Sequence, residues 1–86
     1  MEDSRLFTWE GRKEALSRIP LVELAGQNRV LVENHFGVLA YSPEEIQIKV
    51  SYGKIIVTGC KLEIMQLTRN QLVICGQIDA VHLFRG

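Results

Sequence analysis

The 86-residue chain predicts a single all-β antiparallel domain. Three observations carry that reading. From Pro20 onward, apolar residues recur with a period of two. The runs that do so are rich in Val, Ile and Leu. Only a few Gly, Asn, Pro and Ser residues separate one run from the next. Connections that short cannot make parallel crossovers, so neighbouring strands pair antiparallel. The expected architecture is a small meander of seven to eight short strands, folded into a sandwich or partly closed barrel, with a short N-terminal arm or helix.

Residues 1–19 form the arm and residues 20–86 the β domain. The arm "SRLFTWEGRKEALSRI" is rich in charge, and "RKEALSRI" has room for a turn or two of helix. It either drapes its apolar side on the domain or serves as a docking segment led by Phe7 and Trp9.

The strands follow in order: "LVEL" (21–24), "RVLVE" (29–33), "VLAY" (38–41), "IQIKV" (46–50), "KIIVT" (54–58), "KLEIMQL" (61–67), "QLVIC" (71–75) and "IDAVHLF" (78–84). In "IQIKV", Ile46, Ile48 and Val50 face one way and Gln47 and Lys49 the other, as a half-buried strand requires. "LVIC" (72–75) has no alternation and predicts a strand covered on both faces. Three turns, "NHFG" (34–37), "SYG" (51–53) and "TRN" (68–70), recur every 16 or 17 residues, and Gly59 and Gly76 end two strands 17 apart. A stacked solenoid has a similar period, but a hairpin-type turn inside each unit favours the meander.

Composition excludes several functions. At 47% hydrophobic and 23% charged the chain is ordinary globular material. No apolar run exceeds four residues, far short of the roughly 20 that a membrane helix needs. Ten acidic residues balance ten basic ones, with four of each sign in residues 1–19, so no basic face marks a nucleic-acid or anionic-lipid surface. No secretory leader is expected, and two isolated thiols, Cys60 and Cys75, fit a cytosolic setting.

The densest chemical stretch is "VENHFGVLAYSPEEIQIKV" (32–50). Asn34 and Gly37 suit the first and fourth positions of a type I turn, which places His35 and Phe36 at an exposed turn centre. Pro43 presets the corner after Tyr41-Ser42, and Glu44 and Glu45 solvate it. The competing reading is a reactive site. A nucleophile would be Cys60 or Cys75 with His35 or His82, yet no local motif pairs them. A metal would need Cys60, Cys75 and His82 together, without any of the usual short ligand spacings. The seven glycines are scattered singly and form no phosphate loop. The expectation is therefore no enzyme activity, no cofactor and no metal. Contacts would run through strand edges and through the turn aromatics Phe36 and Tyr52.

The block "VENHFGVLAYSPEEIQIKVSYGKIIVTGCKLEI", followed by "LVICGQIDAVHLF", resembles the YabP/YqfC family of sporulation proteins. The pattern is an apolar strand ending Glu-Asn-His, then x-Gly, an aromatic-ended strand, an x-Gly turn, "I-x-V-T-G" and a last strand after Gly-x-I. Here it falls on Glu33, Asn34, His35, Gly37, Tyr41, Gly53, Thr58, Gly59, Gly76 and Ile78, within a likeness spanning about residues 16–84. The resemblance implies a noncatalytic protein of the mother-cell compartment during endospore formation. It also implies an integral membrane partner of the YqfD type, with the chain itself cytoplasmic and peripheral at most. A second likeness, of "YSPEEIQIKVSYGKIIVTG" to the start of the small heat-shock α-crystallin domain, implies a chaperone instead. The arginine-led later strand and the I-x-I tail of that domain have no counterpart here.

Overall fold

The computed structural model describes residues 19–86, so most of the expected arm, including Phe7 and Trp9, lies outside the described residues. Six strands follow: β1 (Leu21–Ala25), β2 (Arg29–Glu33), β3 (Val38–Tyr41), β4 (Glu45–Val50), β5 (Gly53–Leu67) and β6 (Gln71–Arg85). They form one sheet in the order β1-β2-β6-β5-β4-β3, with every neighbour antiparallel. The all-β antiparallel class is as the sequence predicts. The sheet has two ends, β1 and β3, and is not a closed barrel. Among the described residues no helix is long and apolar enough to cross a membrane.

The strand count differs for a physical reason. "KIIVT" and "KLEIMQL" are two halves of one 15-residue strand, and "QLVIC" and "IDAVHLF" are halves of another. The glycines expected to end strands lie instead where these long strands bend. The β5–β6 register shifts between Thr58 and Gly59 and again between Cys60 and Glu63, and Lys61 takes a left-handed φ of 56°. Such bulges bend a strand and raise its local twist.

At the bend the two backbones come very close. A Cβ on Gly59 would lie 1.9 Å from the Gln77 carbonyl oxygen, and one on Gly76 would lie 2.5 Å from that of Lys61. Only glycine fits at either position. The corner of the β3–β4 hairpin closes over the same place. The Gly59 amide donates to the Glu44 carbonyl at 3.1 Å, and the Leu62 amide to that of Pro43 at 2.8 Å.

The bend divides the sheet into two halves that share one core. One half contains β1, β2, the start of β6 and the end of β5; the other contains β3, β4, the start of β5 and the end of β6. Val30, Val32, Leu62, Leu72 and Ile74 from the first pack in one buried cluster with Ile46, Ile48, Val50, Ile55 and Val57 from the second. The alternation in "IQIKV" is realised as written, with Ile46, Ile48 and Val50 buried and Lys49 exposed. Leu72, Val73 and Ile74 are all buried, as an unalternating central strand requires.

The meander holds only for β3-β4-β5-β6, joined by the expected turns at 51–53 and 68–70 and by a corner at 42–45. β2 pairs with β1 and β6, whereas β3 pairs with β4. Residues 34–37 are therefore a crossover between the two halves and not a hairpin turn. That corrects the expectation for "NHFG".

The bend makes a measurable demand. Gly59→Ala should lower the unfolding free energy by about 2–4 kcal/mol, because backbone must part to admit the methyl group. Gly26→Ala, in the β1–β2 turn with a φ of 59° and no neighbour nearer than 3.9 Å, should cost only the left-handed penalty of about 1–2 kcal/mol. Urea denaturation of both variants checks the order; equal losses would show that cross-strand contact is not what Gly59 relieves.

Candidate functional site

The crossover Glu33-Asn34-His35-Phe36-Gly37 is where the sequence concentrates its polar groups, and the structure uses nearly all of them to tie the two half-sheets together. Glu33 pairs with Gln71 across β2 and β6, and its carboxylate accepts the Gln71 side-chain amide at 3.0 Å. Asn34 then turns the chain with a φ of 66°. Asn tolerates this left-handed conformation better than most residues. Its amide N–H donates to the Asn70 carbonyl at 2.7 Å, and its side chain donates to the Ile19 carbonyl at 2.9 Å, ahead of β1.

His35 is buried, with 6% of its surface exposed. This corrects the expected exposed turn centre. A hairpin tip would have projected the ring into solvent, but a crossover lays it against the β5–β6 turn. Its Nδ1 accepts the Gly37 amide N–H at 2.9 Å, so Nε2 carries the proton and donates to the Thr68 carbonyl at 2.9 Å. Both ring nitrogens are thereby committed to backbone, and the tautomer is set by its partners. The Thr68 carbonyl is positioned by its own turn, where the Thr68 amide donates to the Gln71 carbonyl and the Gln71 amide to the Thr68 hydroxyl.

What the clasp presents outward is Phe36. Its amide donates to the Lys49 carbonyl at 2.7 Å, and the Lys49 amide donates to that of Gly37 at 2.8 Å. The backbone is thus pinned to β4 while the ring stays 58% exposed. Tyr52 follows three residues after Lys49 in the β4–β5 turn and is 37% exposed. The two aromatics expected as contact residues therefore share one end of the β3–β4–β5 half-sheet.

The remaining motif residues serve the bend and the turns. Tyr41 donates its hydroxyl to the Leu62 carbonyl at 3.4 Å, with much of its ring exposed. Gly53 closes the β4–β5 turn opposite Arg85, and Gly59 and Gly76 are the close-approach positions already described. Ser42 accepts the Glu44 and Glu45 amides through its hydroxyl, and the half-buried Glu45 accepts the Gln47 side-chain amide at 2.6 Å. Only Glu44 is left to solvate that corner.

The reactive candidates are not brought together. Cys60 lies within β5 and not at a strand end, half-buried, and its thiol donates to the Gln77 side-chain oxygen at 2.8 Å. Cys75 stands opposite Glu63, and His82 opposite Ile56 in the other half-sheet. Among the described residues no group of three or more His, Cys, Asp or Glu side chains is arranged to hold a metal. Thr68 and Asn70 were invisible as clasp partners in the sequence, because they act through backbone carbonyls more than thirty residues away.

The clasp predicts a sharp contrast. His35→Ala removes two part-buried hydrogen bonds, from the Gly37 N–H and to the Thr68 carbonyl, and empties the site of a buried ring, which together should cost about 2–4 kcal/mol. Phe36→Ala should stay within about 0.5 kcal/mol, as for most exposed positions. Nitrogen NMR of His35 in the folded protein should show the proton on Nε2. A proton on Nδ1, or a neutral His35→Ala, contradicts the clasp.

Comparison with known proteins agrees with the likeness carried by these residues. The family model described as the YabP family matches residues 18–85. The chain is also similar to a Bacillus subtilis (strain 168) protein described as uncharacterized protein YqfC. The two are 25% identical over 68 residues, which cover 79% of this chain and 73% of the relative. With the crossover motif, both bend glycines and all six strands inside the matched region, the chain belongs to the YabP family.

Proposed function

We propose that this protein is a noncatalytic sporulation protein that works by protein–protein contact in the mother cell during endospore formation. Its partner is an integral membrane protein of the YqfD type, and the chain sits on the cytoplasmic side, peripheral to the membrane through that partner. One observation carries this reading. The Glu33-Asn34-His35 element directs its polar groups to backbone and neighbouring side chains, and holds Phe36 outward beside the Tyr52 turn. An exposed aromatic on a pinned backbone loses little backbone entropy on binding, which is what a recognition contact needs. Membership of the YabP family supplies the sporulation setting.

The test is affinity capture from sporulating cells with the full chain, with Phe36→Ser/Tyr52→Ser, and with residues 1–18 removed. The full chain should recover an integral membrane protein, and the double variant should lose most of it. Loss on removing residues 1–18 alone would move the contact to the arm and to Phe7 and Trp9. Recovery of only unfolded soluble polypeptides, equally by all three, would favour the chaperone reading.

A further inference from the structure

The second half of β6 has an open side. Residues 80–85 pair with Thr58–Gly53 of β5 in unbroken register, and among the described residues no strand pairs with their other edge. The Gly86 amide donates to the Tyr52 carbonyl at 2.9 Å, so even-numbered backbone groups turn inward along this segment. The amides and carbonyls of Val81, Leu83 and Arg85 therefore point outward, unpaired within the described residues. Leu83 is 63% exposed and Phe84 45%. A regular apolar edge of this kind, with no lysine, proline or bulge between residues 80 and 85, is a template for another strand.

The sequence of the edge names its occupant. In antiparallel self-pairing about His82 the register is carried by residues 80–84, since Asp79 is the unpaired residue of the bulge beside Ala80 and stands outside it. Small Ala80 then stands opposite Phe84 of the second copy, and Val81 opposite Leu83, on both sides of the axis. A small–large pair and an aliphatic pair are favourable cross-strand neighbours. Val81 and Leu83 share the core-side face through their pairing with Val57 and Ile55, so this register also joins core face to core face. The other edges lack this match. β1 self-paired about its centre sets Glu23 against Glu23, β3 has four residues and a bulge between Val38 and Ala40, and the outer end of β5 is broken by register shifts.

We propose that two copies of this chain join through the outer edges of β6, antiparallel about a two-fold axis at His82, into one continuous sheet. The axis pair is a non-hydrogen-bonded one, with Cα atoms about 4.5 Å apart, a separation that a disulfide can span.

Sedimentation of the full chain across the micromolar range should show a reversible dimer. Leu83→Lys sets a charge against Val81 of the second copy on both sides of the axis and should weaken association about tenfold. The circular dichroism should stay unchanged, because Leu83 is largely exposed in the single chain. In a Cys60→Ser/Cys75→Ser background, His82→Cys oxidised with copper phenanthroline should cross-link to a dimer, and Glu23→Cys should not. A monomer throughout the range, a dimer indifferent to Leu83→Lys, or cross-linking at Glu23→Cys alone would overturn the proposal.

Discussion

The contact on which the fold depends is the close approach of β5 and β6 at Gly59 and Gly76. Two 15-residue strands running straight would give a flat ribbon with one face left in water. A chain of this size has little apolar surface to spare and must cover that face from its own residues. The bend does this by folding one half-sheet towards the other, so that ten buried aliphatic side chains form a single cluster. Side chains are excluded where the two backbones nearly touch, and the Pro43-Glu44 corner supplies carbonyls to amides at and near the bulges. Strand length, glycine position and corner placement are thus parts of one device.

Bending the sheet creates a second requirement, because the chain must then pass from one half to the other. β5 and β6 do so by running through the bend, and residues 34–37 do so outside the strands, where the clasp secures the passage. Asn34 reaches the segment before β1, and His35 reaches the turn between β5 and β6. Phe36 and Gly37 join β4. Four separate parts of the chain meet there through backbone bonds, and no described buried side-chain nitrogen or oxygen lacks a partner. The same construction occupies the polar groups of the stretch: both nitrogens of its histidine are hydrogen-bonded, and the ring of Phe36 is left outward.

Much of this was legible in the residues. Period-two patterning located the strand-forming stretches to within a residue or two while dividing β5 and β6 into two each, and the runs "IQIKV" and "LVIC" told apart a half-covered strand from a fully covered one. The turns at 51–53 and 68–70 followed from local chemistry. The same local reasoning misassigned residues 34–37, since an Asn and a Gly three apart between two strands suit a hairpin and a crossover equally. Only the pairing of β2 with β6, across 38 residues between Glu33 and Gln71, distinguishes them. The glycines at 59 and 76 misled in a related way, because a glycine can end a strand or admit a neighbouring backbone, and its own sequence context is identical in both cases.

The sequence by itself determined the all-β class, the strand positions, the resemblance to the YabP/YqfC family and the scarcity of reactive motifs. These are local properties, set by alternation, turn residues and short patterns. Tertiary structure alone decided that eight apparent strands are six, that His35 is buried with both nitrogens bonded, and that the end of β6 keeps an open edge within the described fold. Each of those depends on which strands become neighbours. That choice is made by burying one core from two half-sheets, a sum over distant residues that no short window of the chain contains.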